Sequence, residues 1–193
     1  VSSATVRNDM NFLEKMWLIF QPYNSAWRLP TCKWIRVFVD YLMEWMPGYF
    51  IDAEVEIEIE EKTKVEDKFY LLVSNLAKAT WELTFWFIPN EKRVYHFWIS
   101  NFLKNHGLFL WEWTYKIIDL LEDNYNFIKT LEKLDISNKI SVFIWEENVL
   151  PDLENCTIII KKTQLEWKEV YIWIIWSLRI DYVFNIAALK RIF

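Results

Sequence analysis

The side chains best suited to chemistry in this chain are hydrogen-bond donors and acceptors rather than nucleophiles. Ser2, Ser3, Thr5, Arg7 and Asn8 cluster near one end, and Tyr23, Asn24, Ser25 and Arg28 follow shortly after. Small hydroxyls, a carboxamide and guanidinium groups can bond to the polar edges of bases and to phosphate oxygens, which is the chemistry of nucleic-acid recognition. Catalysis finds no comparable set. His96 and His106 have no cysteine, aspartate or second histidine at a zinc-ligand spacing, so no metal is expected. Cys32 and Cys156 lie far apart and read as buried thiols rather than a bridge. Glu146 and Glu147, adjacent at the end of an apolar run, fit a turn or cap better than an acid/base pair. No glycine-rich phosphate loop is present, and the reading is of a protein that is not an enzyme and needs no cofactor.

These residues need elements to position them. Ser3 is the expected N-cap of a helix running to about Met16, with Val6, Met10, Leu13 and Met16 at helical spacing and facing a core. Ser2, Thr5, Asn8, Asp9 and Arg7 lie largely on other faces, which places polar and basic groups at the end of a helix that enters a major groove. The extended runs LIFQPY and RLPT, joined by the turn NSAW, form a wing in which Arg28, beside Tyr23, Asn24 and Ser25, suits phosphate or minor-groove contact. A polar helix face is more often simply solvated, and the charge distribution is what favours recognition. Residues 1 to 36 carry Arg7, Lys15, Arg28, Lys33 and Arg36 against Asp9 and Glu14, a balance of +3. The net charge of −5 leaves −8 for the remainder, so a basic end sits on an acidic body.

Composition carries a second signal. Thirteen tryptophans stand against two glycines in 193 residues, and together they make 15, close to what glycine alone supplies at its usual share of about 7%. Trp17 follows a helical run, Trp27 sits in a polar turn, and Trp167 sits between two strand-like runs, all places that favour a residue tolerant of positive φ. One reading is that most of these tryptophans stand at codons the source cell decodes as glycine. The other is an aromatic-rich chain whose indoles are core or interface anchors.

With glycine placed at Trp17, Trp27 and Trp34, the segment VSSATVRNDMNFLEKMWLIFQPYNSAWRLPTCKWIRVFVDYLM resembles the winged-helix part of the heat-inducible transcription repressor family HrcA. The matching pieces are SSATVRNDM, the LE step, QPYNSA with a glycine-arginine pair, PT, and a lysine-glycine pair before IRVFVDYLM. Further on, WISNFL at Trp98, VFIWEEN at Trp145 and YIWIIWSLRIDY at Trp173 and Trp176 resemble family segments that carry glycine there. The last departs from the pattern at Ser177 and Leu178, where the family has proline and threonine, which weakens transfer of that segment's role. The resemblance implies a cytoplasmic DNA-binding repressor of chaperone operons. It would act as a homodimer on an inverted-repeat operator in double-stranded DNA, with a chaperonin as co-regulator, and Ser2, Ser3, Thr5, Arg7, Asn8, Tyr23, Asn24, Ser25 and Arg28 would be its DNA-contacting residues. In the family two helices precede the recognition helix and complete its core. Their absence from this chain predicts weak operator binding and points to a truncated gene model. The stretch before Trp98 is also shorter than in full-length relatives. The alternative is a ligand-sensing or protein-interaction module with a vestigial DNA-binding end.

The expected organisation is α+β: a partial winged helix, recognition helix plus wing, over residues 1–45, a charged linker helix over 46–68, and a GAF-like α/β regulatory and dimerisation domain over 69–193. CKWIRVFVDYLMEWM reads as the helix leading out of the first part. DAEVEIEIEEKTKVEDK alternates as a strand would, but is taken as a solvated helix. In the body, LTFWFI, RVYHFWI, SVFIW, TIIIKKTQL and EVYIWIIW read as strands. FYLLVSNLAKAT, YKIIDLLEDNYNFIKTLEKL and DYVFNIAALKRIF read as helices. No run is long and charge-free enough to span a bilayer, and no membrane partner is expected.

Overall fold

The computed structural model describes residues 2–46, 65–105, 111–131, 136, 140–148, 150, 153 and 156–192. The charged stretch 52–68 falls mostly outside them, and so does His106. The chain divides into two compact units, Val1–Met46 and Pro47–Phe193.

In the first unit, helix α1 (Ser3–Lys15) is capped by Ser2, whose hydroxyl accepts from the backbone N–H of Thr5 at 3.1 Å. The expected cap was Ser3, one residue later. Ser2 has the extended backbone of a cap, φ −76° and ψ 153°, which leaves Ser3 as the first helical residue. Two short strands, β1 (Ile19–Phe20) and β2 (Leu29–Pro30), pair antiparallel with Ile19 opposite Pro30 and Phe20 opposite Leu29. They are much shorter than the extended runs read from the sequence. Helix α2 (Cys32–Trp45) starts at Thr31, whose hydroxyl accepts from Trp34 N at 3.3 Å, and buries the stripe Ile35, Val39 and Leu42. That spacing of three and four is the apolar face of a helix.

The second unit is a mixed helix and sheet structure, α+β, built on one five-stranded sheet. Its strands are β3 (Leu83–Ile88), β4 (Arg93–Phe97), β5 (Ile140–Ile144), β6 (Cys156–Leu165) and β7 (Lys168–Ser177), in the order β4-β3-β7-β6-β5 with every pairing antiparallel. The helices are α3 (Val65–Thr80), α4 (Ile99–Asn105), α5 (Trp111–Glu122), α6 (Asn124–Leu131) and α7 (Tyr182–Arg191). Alternation along the strands sorts them between two faces. Leu83, Phe85 and Phe87 of β3, Ile158 and Ile160 of β6, and Trp173 and Ile175 of β7 share one core with Phe102 of α4, Ile117 and Leu121 of α5, and Phe127, Ile128 and Leu131 of α6. The residues between them point the other way. Trp86 lies 4.6 Å from the Phe69 ring of α3, and the Thr157 hydroxyl bonds to the Tyr182 hydroxyl of α7 at 2.7 Å. Because both faces are covered, β3 is buried along its whole length, and its sequence reads as a continuous apolar run rather than an alternation.

Two elements differ from the sequence reading. The long helix expected over 115–134 is two, since Asp123 interrupts it and caps α6 by accepting from Asn126 N at 3.2 Å and from Asn126 Nδ2 at 2.6 Å. Carboxylate bonds to a helix start compete with continuation of the preceding helix. The strand expected to run through Ile99 ends at Phe97, because Trp98 takes φ 69° and turns the chain into α4, a helix the sequence pattern did not reveal.

Candidate nucleic-acid interface

Helix α1 presents its polar groups to solvent. Ser2, Ser3, Thr5, Arg7 and Asn8 are all exposed, and at about 100° per residue Thr5 and Asn8 share the face opposite Val6, Met10 and Leu13. Arg7 flanks that face. The Ser2 and Thr5 hydroxyls lie 2.9 Å apart, so both are engaged in the cap, whereas the cap ties down neither Arg7 nor Asn8. The apolar side of α1 departs from the sequence reading. Val6 and Met10 were expected to face a core, yet they are 45% and 37% exposed, and the helix contains no buried residue.

Behind α1, a set of side chains holds the turn and the paired strands. Tyr23, Asn24 and Ser25 are exposed at the turn, and Ser25 adopts φ 74°. Gln21 Nε2 donates to the Ala26 carbonyl at 2.8 Å and closes the loop. Arg28 reaches Glu14 of α1 at 3.3 Å, tying the second strand to the helix while its side chain stays about a third exposed. Thr31 donates to the Trp17 carbonyl at 2.7 Å, and Lys33 Nζ donates to the Met16 carbonyl at 3.2 Å. Both satisfy carbonyls at the end of α1, where a cation also suits the negative pole of the helix dipole. The structure therefore brings Ser2, Ser3, Thr5, Arg7 and Asn8 together on one helix end, and Tyr23, Asn24, Ser25 and Arg28 together at one hairpin. In the sequence Lys33 and Glu14 stand out only as charges, and nothing marks Gln21 as the donor that closes the loop. A threonine N-cap followed two residues later by lysine is a signal that could have shown Lys33 reaching back to the preceding helix.

The other candidate groups take structural roles. Glu147 accepts from Ile144 N at 3.0 Å and caps the 3-10 turn Trp145–Glu147, as adjacent carboxylates at a strand end suggested. Burial pushes the Cys156 thiol up to about 12, leaving it an inert part of the core, and neither Cys32 nor Cys156 forms a disulfide. Glu82 is buried, and burial first, with Asp181 second, raises its carboxyl to about 8. Nothing near it in sequence marks this, because its surroundings are assembled across the fold. Ser177 and Leu178 also have local partners: the Ser177 hydroxyl accepts from Arg179 N at 3.3 Å, and the Leu178 carbonyl accepts from the Tyr182 hydroxyl at 3.1 Å. Among the described residues no helix is long and apolar enough to cross a membrane, and no group of three or more histidine, cysteine, aspartate or glutamate side chains could hold a metal ion.

Known proteins resemble this chain in three ways. Residues 40–183 match the family described as HrcA protein C terminal domain. Curated relatives named heat-inducible transcription repressor HrcA include those of Rhodococcus jostii, 55% identical over 81 residues, and Leifsonia xyli subsp. xyli, 53% identical over 81 residues. The alignments cover 42% of this chain in both cases, and 23% and 24% of the respective relatives. A third, from Anabaena sp., is 42% identical over 67 residues, covering 35% of this chain and 18% of the relative. The matched stretches thus span about a quarter or less of these relatives' length. A solved structure described as a hypothetical protein superposes with a TM-score of 0.77 at 18% identity, over 98% of this chain and 84% of the other, and shares the fold.

Proposed function

This chain belongs to the HrcA family of heat-inducible transcription repressors, and from that premise we propose that it represses chaperone operons by binding an inverted-repeat operator as a homodimer. The observation that carries the reading is the exposed amino-terminal turn of α1, with Thr5 and Asn8 on one face and Arg7 beside them, next to a hairpin that carries Arg28. In this reading the first unit is a partial winged helix, α1 the recognition helix and the β1–β2 hairpin its wing. Asn8 reads a base edge, since a carboxamide can pair with two groups of adenine at once, and Ser2, Ser3 and Thr5 support it at the groove floor. Arg7, Tyr23, Asn24, Ser25 and Arg28 hold the backbone on either side. Two such units related by a two-fold axis match the symmetry of an inverted repeat. The second unit, read as GAF-like, pairs the subunits and receives the regulatory signal, with a chaperonin as co-regulator in the cytoplasm.

Fluorescence anisotropy on operator and random duplexes tests this assignment. Arg28→Ala should weaken binding to both by a similar factor, whereas Asn8→Ala should weaken operator binding by about 5- to 150-fold and leave random duplex nearly unchanged. Equal losses for Asn8→Ala on both duplexes would remove its base-reading role. The absence of any buried residue in α1 favours a second reading, a ligand-sensing or protein-interaction module whose DNA-binding end is vestigial. That reading predicts no preference for operator over random duplex in the unmodified chain.

A further inference from the structure

The backbone of the described residues holds a left-handed φ at seven non-glycine positions, and four of them are tryptophan: Trp17 at 58°, Trp81 at 61°, Trp98 at 69° and Trp145 at 55°. Tryptophan makes up 13 of 193 residues, so chance would place it at well under one of the seven. Bulky residues are rare in this region because the Cβ meets the carbonyl oxygen, and glycine has no such contact. The four sites also share a role. Trp17 follows the last turn of α1, and its N–H donates to the Glu14 carbonyl at 3.0 Å. Trp81 follows α3, and its N–H donates to the Ala77 carbonyl at 3.0 Å. Trp98 and Trp145 follow directly on β4 and β5 and turn the chain into the next helical segments. Helix ends and strand-to-helix turns are where glycine is selected for its backbone rather than its side chain.

We propose that the codons behind Trp17, Trp81, Trp98 and Trp145 are decoded as glycine in the cell that makes this protein. The surroundings of the indoles agree. Trp17 and Trp81 are 75% and 61% exposed, so their rings fill no core. The Trp81 and Trp98 rings lie against one another, with ring centroids 5.3 Å apart. Elsewhere in the fold, Trp86 and Trp173 pack in the core but carry buried N–H groups that meet no acceptor, whereas a buried indole normally finds one. With glycine at the four turn sites, the aromatic pair at Trp81 and Trp98 is not a docking surface, and the turns are unstrained.

Peptide mass mapping of the protein purified from its own cells tests this, and the result does not depend on whether the protein binds DNA. Glycine is expected at positions 17, 81, 98 and 145, and tryptophan at any of them would overturn the proposal for that site. A second measurement uses the chain carrying tryptophan. Trp81→Gly and Trp81→Ala both remove the contact with Trp98, so their difference reports the backbone alone. The glycine variant should have a folded-to-unfolded ratio about 5- to 30-fold above the alanine variant in urea titrations. Equal ratios would show that the site makes no demand for glycine and would sink the argument from φ.

Discussion

Glu82 has a chemistry set by its environment. Its carboxyl is raised from 4.5 to about 8, by burial first and then by Asp181. An acid with a raised folded pKa binds its proton in the native state over a range where the unfolded chain has lost it. Its contribution to stability is therefore complete below about 4.5 and is lost as pH rises toward 8. Across that window the slope approaches about 1.4 kcal/mol per pH unit for one group. Glu82→Gln keeps the shape without the charge and should flatten the dependence, with the gain largest at pH 8 and above. Urea titrations from pH 5 to 9 check this, and an unchanged slope in the variant would assign the dependence to another group. Nothing in the local sequence TWELT predicts the shift. A glutamate between a helix and a strand is usually wet, whereas here it is buried in the fold and feels Asp181, far along the chain.

Among the elements, α7 shows most clearly what was legible and what was not. Its pattern DYVFNIAALKRIF predicts a helix, and the helix forms from Tyr182 to Arg191 with Asp181 as N-cap, accepting from Phe184 N at 2.9 Å. Its anchoring was invisible. Lys161 of β6 lies buried beneath the helix end, donating to the Leu189 carbonyl at 2.8 Å and to the Ile192 carbonyl, and burial lowers its pKa. A lysine inside a strand reads as a solvent-facing position until the helix that covers it is placed. Lys161→Ala should strip both carbonyls of their charged donor and destabilise the second unit by about 2–3 kcal/mol, measured by thermal or urea unfolding. Asp181→Ala should cost about 1 kcal/mol through the lost cap. Helix α1 is the reverse case: its length was readable and its cap lay one residue from the expected Ser3, but its apolar face holds no buried residue. The amphipathic pattern of Val6, Met10 and Leu13 states only that such a face exists, not what packs against it.

Taken whole, the molecule carries its charges unevenly, and this governs how it would meet DNA. The +3 balance of residues 1 to 36 opposes −8 elsewhere, so contact with a polyanion is favoured at one end and repelled at the other. Under the proposed function, the affinity should fall linearly in log–log form with salt, by about 0.9 in slope for each phosphate neutralised. Arg28→Ala should lower the slope by about that amount per subunit, measured by anisotropy between 50 and 200 mM salt. A slope unaffected by Arg28→Ala would place that side chain, already 3.3 Å from Glu14, in a structural role instead.

The amino-acid sequence sufficed for the family, the α+β class and most strands and helices, because motif spacing and apolar periodicity are local properties that survive without coordinates. It also placed the polar helix end and the hairpin residues near one another, since short loops leave little choice. Sheet order, the two faces of the sheet, and the buried states of Glu82 and Lys161 belong to contacts between distant segments. Those contacts arise only when the chain closes, and no single stretch encodes the water they exclude. The tryptophans needed both views: composition raised the question, and the left-handed backbone located the sites at Trp17, Trp81, Trp98 and Trp145, but not at Trp27 and Trp167, where Ser25 and Glu166 take the positive φ instead.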